Sequence, residues 1–507
     1  MQTNATQSAK QWLAAFDLDV PDIRVDSLTL DSRNVAIHSA FIAVKGHERD
    51  GREFIPQAIS LGAKLIIAQT DEADEHGAIT MREQSVIVHV FNLPELISDM
   101  AAAFYHYPAQ QLDVIAVTGT NGKTSTVQLI SQLRRLIGDT SASIGTLGSG
   151  IYQLNDAEIN YDDTLNTTPD AVTMQSLMAD FVASGVKQVA LEASSHALVQ
   201  HRIAALDTKV AVFTNLTRDH LDYHGSMAEY ARAKRLLLTQ PSLQFAVLNR
   251  DDEESLNWHK AMPEGVTPVW VSASGDKPDA KELYCVATQI EYLPNGISLN
   301  LDSSWGQGTL SVRLLGAFNI TNLLSALASL LCLQVPLRAL LEHSALLRPV
   351  PGRMEVFGDD ASAHVVVDYA HTPDALHQAL LAVRQHNAGR VWCIFGCGGE
   401  RDQGKRVLMG EIAEQLAERV ILTNDNSRSE DPQAIISDIL SGMRAPDKVQ
   451  IELDRRVAIQ SCLKQASAED MILVAGKGHE TYQIIGDTRH DYNEREYIKH
   501  LFVGREQ

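Results

Sequence analysis

The chain has 507 residues, 45% of them hydrophobic, and its 64 acidic against 43 basic side chains give a net charge of −21. That length holds roughly three domains of about 150 residues each. The acidic excess excludes a general binder of nucleic acid or of anionic membranes, since those partners need basic faces.

No run of about 18 uncharged apolar residues spans a bilayer, so no membrane insertion is expected. The first residues, "MQTNATQSAKQWLAAF", lack the basic and apolar regions of a signal peptide. Five cysteines (Cys285, Cys332, Cys393, Cys397, Cys462) without paired spacing suit a reducing compartment, and the chain reads as cytoplasmic. Cys393 and Cys397 stand four apart, but no second Cys or His pair completes a metal site.

In chain order, residues 1–100 form a mixed stretch with short apolar runs at 40–44, 65–68 and 85–90. Over 101–347 strands alternate with helices, with strands predicted at Val114–Val117, Gln188–Leu191, Val210–Phe213 and Phe245–Leu248. Residues 348–507 repeat the alternation, with strands at Val365–Val367, Val391–Phe395, Arg419–Leu422 and Met471–Val474. The expected class is α/β.

In open α/β sheets, ligands bind beyond the carboxyl ends of the strands. Here those ends read "TGTNGKTS", "EASSHALVQHR", "TNLTRDHLDYHG" and "NRDD", then "DYAHTPD", "GCGGERDQGKR", "NDNSRSED" and "GKGHETYQ". Polar, glycine-framed clusters after strand upon strand fit an inert scaffold poorly. The first is the sharpest. Gly119 and Gly122 let the backbone approach a polyanion, and amides at the next helix N-terminus point at it. Lys123 would reach the β- and γ-phosphates of ATP, and the Thr124 hydroxyl would ligate Mg²⁺. Val117 stands where the full Walker pattern has its first glycine, so a glycine turn without nucleotide stays open on these residues alone.

The variant loop resembles the ATP loop of the Mur ligase family, amide ligases that build the peptidoglycan stem peptide, and of the related folylpolyglutamate synthetases. "TLDSR", "KGHERDG", "NTTPD", "EASSHALVQHR", "DHLDYHG", "YARAK", "GAFNITN", "PGRME", "DYAHTPD", "DNSR" and "GKGHE" follow in the family's order, so the resemblance covers nearly the whole chain. It implies three domains. Residues 1–100 would be a mixed domain binding the UDP-sugar, 101–347 a P-loop-type ATPase domain with a parallel sheet, and 348–507 a Rossmann-like α/β domain for the amino acid. It implies a monomer using ATP and Mg²⁺, with the UDP-N-acetylmuramoyl dipeptide and meso-diaminopimelate as substrates. An acyl phosphate would be the intermediate. The rivals are an L-lysine-adding or folylpolyglutamate synthetase-like ligase and, from another class, a non-catalytic nucleotide switch.

Residue by residue, the resemblance places ATP at Gly119, Thr120, Asn121, Gly122, Lys123, Thr124, Ser125, Asn319, Arg353, Asp368 and His371. Glu192 and His220 match metal ligands; the plain alternatives are a salt-bridged carboxylate and a packing histidine. Lys234, by spacing a helix-surface lysine, matches a lysine that CO₂ carbamylates into an oxygen-rich magnesium ligand. Leu30, Ser32, His47, Glu48 and Arg49 match the uridine diphosphate pocket, and Asn166, Thr167, Thr168, Ser194, Gln200 and Arg202 match muramoyl-dipeptide contacts. "NTTPD" alone would pass as a turn with a helix cap. Arg401, Asp425, Asn426, Ser427, Arg428, Gly476 and Glu480 match contacts to diaminopimelate. Ser427 replaces the family's proline, which loosens the loop. The alternative for Arg428 is an exposed pairing with Glu430 or Asp431.

Overall fold

The structure, a computed structural model, describes residues 6–46, 49–154, 159–358 and 361–503. It divides into two compact units. The first comprises Met1–Ser272, Asp276–Cys285 and Leu324–Pro336, and the second Ala273–Gly275, Val286–Leu323 and Leu337–Gln507. Among the described residues no helix is long and apolar enough to cross a membrane.

The first unit opens with a sheet of β1 (Ser27–Thr29), β2 (Ser39–Ala43), β3 (Leu65–Thr70), β4 (Ile79–Arg82) and β5 (Ser85–Phe91) in the order β1-β2-β3-β5-β4. Only β4, fully exposed, pairs antiparallel. Helix α1 (Leu93–Phe104) follows.

The central sheet then builds from β6 (Asp113–Thr118), α2 (Lys123–Leu136), β7 (Ser141–Gly145), β8 (Gly148–Tyr152), β9 (Tyr161–Asp162), α3 (Ala171–Ala183), β10 (Gln188–Glu192), α4 (Ser195–Val199), β11 (Thr208–Phe213), α5 (Leu221–His224), α6 (Met227–Arg235), β12 (Phe245–Asn249) and β13 (Thr267–Ser272). Its order in this unit is β9-β8-β7-β10-β6-β11-β12-β13, parallel from β7 to β13. Val114 to Val117 are all fully buried, as a parallel strand covered on both faces requires. The two strands flanking β6, β10 and β11, end on the same edge, so their loops converge on the glycine turn after β6.

The second unit repeats the plan with β14 (Glu355–Phe357), β15 (His364–Asp368), α7 (Pro373–His386), β16 (Val391–Phe395), α8 (Gly404–Leu416), β17 (Arg419–Leu422), α9 (Pro432–Leu440), β18 (Gln450–Ile451), α10 (Arg455–Gln465), β19 (Met471–Ala475), β20 (Tyr482–Ile485), β21 (Thr488–Asp491) and α11 (Glu494–Val503). The sheet order is β14-β15-β19-β16-β17-β18, parallel from β15 to β18. Helix starts are capped as their sequences ask: Thr372 accepts from the Ala375 amide, Asp431 from Gln433, and Asp454 from Arg456 and Val457. Each strand predicted above lies within an observed strand.

One buried ion pair anchors the end of β19. Arg455 and Glu494 pair at 1% and 0% exposure, Tyr492 donates to Glu494 at 3.0 Å, and the Arg455 guanidinium reaches the Ala475 carbonyl at 2.7 Å. Removing one partner of such a pair leaves a charge stranded out of water. Glu494→Ala should lower stability by about 3–5 kcal/mol. Urea unfolding of the full chain measures it, and the double variant Arg455→Met/Glu494→Leu should recover most of the loss.

Candidate active site

Gly119 has φ +146°, and a Cβ there would lie 1.8 Å from the Thr214 hydroxyl, so only glycine lets the loop pass β11. Gly122, at φ +85°, turns the chain into α2. Sequence reasoning missed the strap that holds this loop. Thr120 N–H donates to the Asn215 carbonyl at 2.9 Å, Asn121 N–H to Asn215 Oδ1 at 2.9 Å, and Thr214 Oγ1 to the Asn121 carbonyl at 2.6 Å. The signal was present in "TNLT", whose position after β11 was noted without a role. Lys123 folds back, its Nζ donating to the Gly119 and Thr120 carbonyls at 2.9 Å each. Ser125 lies half-buried in the first turn of α2.

Glu192, 1% exposed, ends β10 directly beside the loop. Thr124 Oγ1 donates to its Oε1 at 2.9 Å, the Thr146 amide at 2.8 Å, and the Thr146 hydroxyl to Oε2 at 3.3 Å. Gly145 makes room, since a Cβ there would stand 2.2 Å from Glu192 Oε1. The salt bridge of the plain alternative is absent: among the described residues Glu192 makes no ion pair, only neutral hydrogen bonds. A carboxylate so buried, beside a threonine hydroxyl, has the hard oxygen chemistry that a divalent cation takes.

The residues expected to meet the muramoyl dipeptide mostly gather. Thr168 Oγ1 donates to the Glu192 carbonyl at 2.7 Å and accepts from the Ser194 amide at 3.1 Å. Arg202 reaches the Thr168 carbonyl at 2.8 Å and Gln200 Oε1 at 2.6 and 2.9 Å. Thr167 touches Thr146 at 3.4 Å, while Asn166 is exposed, its carbonyl bonded to Thr164. The cap reading of "NTTPD" also holds, through Asp170, which accepts from Val172 and Thr173. In the first sheet's loops, Ser32 donates to Gln57 at 3.0 Å, Leu30 is half-buried and Arg49 exposed. His47 and Glu48 lie outside the described residues.

Lys234 departs from its spacing-based reading. It is 1% exposed on α6, its Nζ donating to the Gly119 carbonyl at 2.7 Å and lying 4.3 Å from the Tyr230 ring centre. Burial, reinforced by the charge of Lys123, pushes its pKa well below the ordinary lysine value. His220 sits at φ +51° at the start of α5, 3.4 Å from Asp219 and edge-on to His196 at 5.1 Å. It is bonded to neither Glu192 nor Thr124 among the described residues. Instead it joins a cluster of His196, Tyr223, His224 and Tyr230 that the sequence reading quoted without assigning. Burial, with His220 and His224 alongside, lowers His196 to about 4. Among the described residues no three His, Cys, Asp or Glu side chains form a metal-binding group.

In the second unit, Asp368 is buried and accepts from the Met354 amide at 2.8 Å; burial raises its pKa against the pull of Arg353. Arg353 lies 4.8 Å over the Tyr369 ring, and His371 contacts the Tyr369 carbonyl at 2.8 Å, its pKa lowered by burial. Asn319 is spent locally, donating to the Leu315 carbonyl at 2.8 Å and accepting from Asn322 at 2.9 Å. His479, missed from sequence, is lowered to about 4 by burial and stacks 4.9 Å from Tyr369. Cys393 and Cys397 are buried free thiols, and burial pushes Cys397 up to about 12, which leaves them unreactive.

The loops after β17 and β19 meet. Arg428, at φ +50°, donates to the Gly399 carbonyl at 2.8 Å and makes no ion pair among the described residues. The pairing with Glu430 or Asp431 is absent because Glu430 binds the buried Arg406 at 2.9 Å and Asp431 caps α9. Ser427 does not loosen the loop. It is 1% exposed, its carbonyl accepts from Glu430, and the Asn426 carbonyl accepts from Gly399 at 2.9 Å. Asp425 and Glu480 flank Lys477 at 3.5 and 2.8 Å, and Asn426 donates to Glu480 at 3.1 Å. Gly476 abuts Asp425, which lies 2.7 Å from where its Cβ would be, and Arg401 is exposed.

Family models match three segments: the Mur ligase family, catalytic domain, over residues 24–105, the Mur ligase middle domain over 117–330, and the Mur ligase, glutamate ligase domain, over 352–478. The chain is 46% identical over 498 residues to the UDP-N-acetylmuramoyl-L-alanyl-D-glutamate–2,6-diaminopimelate ligase of Vibrio vulnificus, covering 98% of each. A solved structure of a ligase of that same name matches with a TM-score of 0.71 at 34% identity, over 99% of this chain and 100% of that one. A MurF ligase from Thermotoga maritima, solved in complex with ADP, shares the fold at 18% identity and a TM-score of 0.60, over 89% and 94% of the two chains. With its loop, its motif order and these relatives in agreement, the chain belongs to the Mur ligase family.

Proposed function

We propose that this chain is an ATP-dependent ligase that adds meso-diaminopimelate to UDP-N-acetylmuramoyl-L-alanyl-D-glutamate in peptidoglycan precursor synthesis. Residues 1–100 serve the uridine diphosphate end, 101–347 bind ATP, and 348–507 bind the amino acid. The protein works as a monomer in the cytoplasm, a setting that its five buried free thiols suit. The relative at 46% identity supports this choice of substrates. The observation that carries the amino acid is the cluster in the second unit: two carboxylates share one lysine beside an arginine without an ion pair. A carbon bearing both an ammonium and a carboxylate answers both. L-Lysine lacks that distal carboxylate.

The chemistry runs in two steps. A carboxylate oxygen of the muramoyl dipeptide attacks the γ-phosphorus of ATP, and ADP leaves. The amine nitrogen then attacks the acyl phosphate carbon, the bond to phosphate breaks, and the amine gives up a proton. Two anions must first be held together against repulsion, so positioning and local positive charge carry most of the catalysis. Lys123 supplies charge at the loop, and the amides at the N-terminus of α2 donate to phosphate oxygens. Arg353, Asp368 and His371 are the residues of the second unit that match nucleotide contacts, with Asn319 shaping its own turn. Magnesium, when bound, would supply further positive charge against the phosphates, with Thr124, Glu192, His220 and a carbamylated Lys234 as the groups that would hold it. Burial suits Lys234 to that modification. A neutral amine can attack CO₂, forming the C–N bond and releasing one proton, whereas an ammonium cannot.

An ATP-dependent ligation assay offering meso-diaminopimelate, L-lysine and L-ornithine together tests the proposal, with meso-diaminopimelate expected to be consumed first. A preference for L-lysine overturns the amino acid; nucleotide binding without amide product overturns the ligase. Lys123→Ala should abolish phosphate release while UDP-substrate binding, followed by calorimetry, stays close to wild type. Lys234→Ala should lose activity and regain part of it with added short-chain carboxylates, which can fill the carbamate's place. Arg428→Ala should cost about 2–5 kcal/mol in kcat/KM for diaminopimelate, the scale for unpairing a buried charge, with little change in the KM for ATP.

A further inference from the structure

We infer that Lys477 is the positioning residue of the amino-acid site, holding Glu480, Asn426 and Asp425 in the arrangement that receives an ammonium group without itself touching the ligand. The inference rests on the amino-acid reading proposed above and extends it to a residue that no motif match singled out.

Lys477 has no exposed side-chain surface. An ammonium taken out of water must be paired and hydrogen-bonded. Its Nζ lies 2.8 Å from Glu480 Oε2, 3.0 Å from Asn426 Oδ1 and 3.5 Å from Asp425 Oδ1. Glu480 and Asn426 each accept a hydrogen bond and Asp425 pairs with the charge, so the buried ammonium is held within the cluster. The contacts close a ring, because Asn426 Nδ2 donates to the same Glu480 oxygen at 3.1 Å. The ring is fixed to β20, where the Ile484 amide donates to Asn426 Oδ1 at 2.9 Å and Gln483 donates to the Asp425 carbonyl at 2.9 Å.

The backbone is built to aim this lysine inward. Gly476 and Gly478 flank it at φ +113° and +51°, and a Cβ on Gly478 would lie 2.6 Å from the Tyr369 Cβ. Two carboxylates against one ammonium leave the cluster one negative charge in excess. A ligand ammonium would neutralise it. Without Lys477 the two carboxylates face each other uncompensated, and either one takes a proton or the ring opens. The first leaves a single negative charge without the lysine that places it, and the second moves the carboxylates apart, so both lose the arrangement that a ligand ammonium needs.

The test uses the full chain. Lys477→Met should raise the KM for meso-diaminopimelate by about tenfold or more, while the KM values for ATP and the muramoyl dipeptide stay within about twofold. Lys477→Arg, which keeps the charge, should regain part of the loss. Should Lys477→Met fail to fold, Lys477→Met/Glu480→Gln removes both charges, and its diaminopimelate KM should match that of Glu480→Gln alone. A wild-type KM for diaminopimelate in Lys477→Met, an equal rise for all three substrates, or simple additivity in the double variant overturns the positioning role. Absence of diaminopimelate-dependent ADP release in the wild-type chain overturns the underlying reading instead.

Discussion

The first unit depends on a carboxylate removed from water without a cation beside it. Glu192 is held by the Thr124 hydroxyl, the Thr146 amide and the Thr146 hydroxyl, and its own carbonyl accepts from Thr168. Neutral donors lower the cost of burying that charge without cancelling it. The same contacts tie the glycine loop, the end of β7 and the "NTTPD" turn to one residue at one strand end.

A second constraint acts on that loop through its Gly119 carbonyl. Lys123 and Lys234 both donate to the Gly119 carbonyl, at 2.9 and 2.7 Å. Two full ammonium charges around one oxygen repel each other strongly in a buried setting. Lys123 is half-buried, whereas Lys234 is buried, and burial with the charge of Lys123 alongside pushes its pKa well below the ordinary lysine value. Burial thus sets the two lysines apart.

The second unit is set by close backbone approaches. A Cβ on Gly399 would lie 2.0 Å from the Ser427 carbonyl, and one on Gly352 would lie 2.1 Å from the Gly478 backbone. Arg406, 1% exposed, takes up Glu430 and Asp438 and so removes two carboxylates from competition for Arg428. Arg428 is left with the Gly399 and Asn426 carbonyls as partners.

By itself the amino-acid sequence determined the α/β class, eight strands of the central and second-unit sheets, and the polar loops that follow them. Strands buried on both faces must be apolar runs, and glycine-framed polar clusters after them have few other uses. It did not determine which charges are paired. Lys234 lies at a spacing that reads as a solvated helix face, and only the packing of α6 against the loop buries it. Glu430 stands two residues from Arg428 but is claimed by Arg406, 24 residues earlier in the chain. Lys477 looks like a loop lysine until β17 and β19 bring Asp425, Asn426 and Glu480 around it. Burial and charge pairing follow from distances between segments far apart in sequence, so only the tertiary structure decided them.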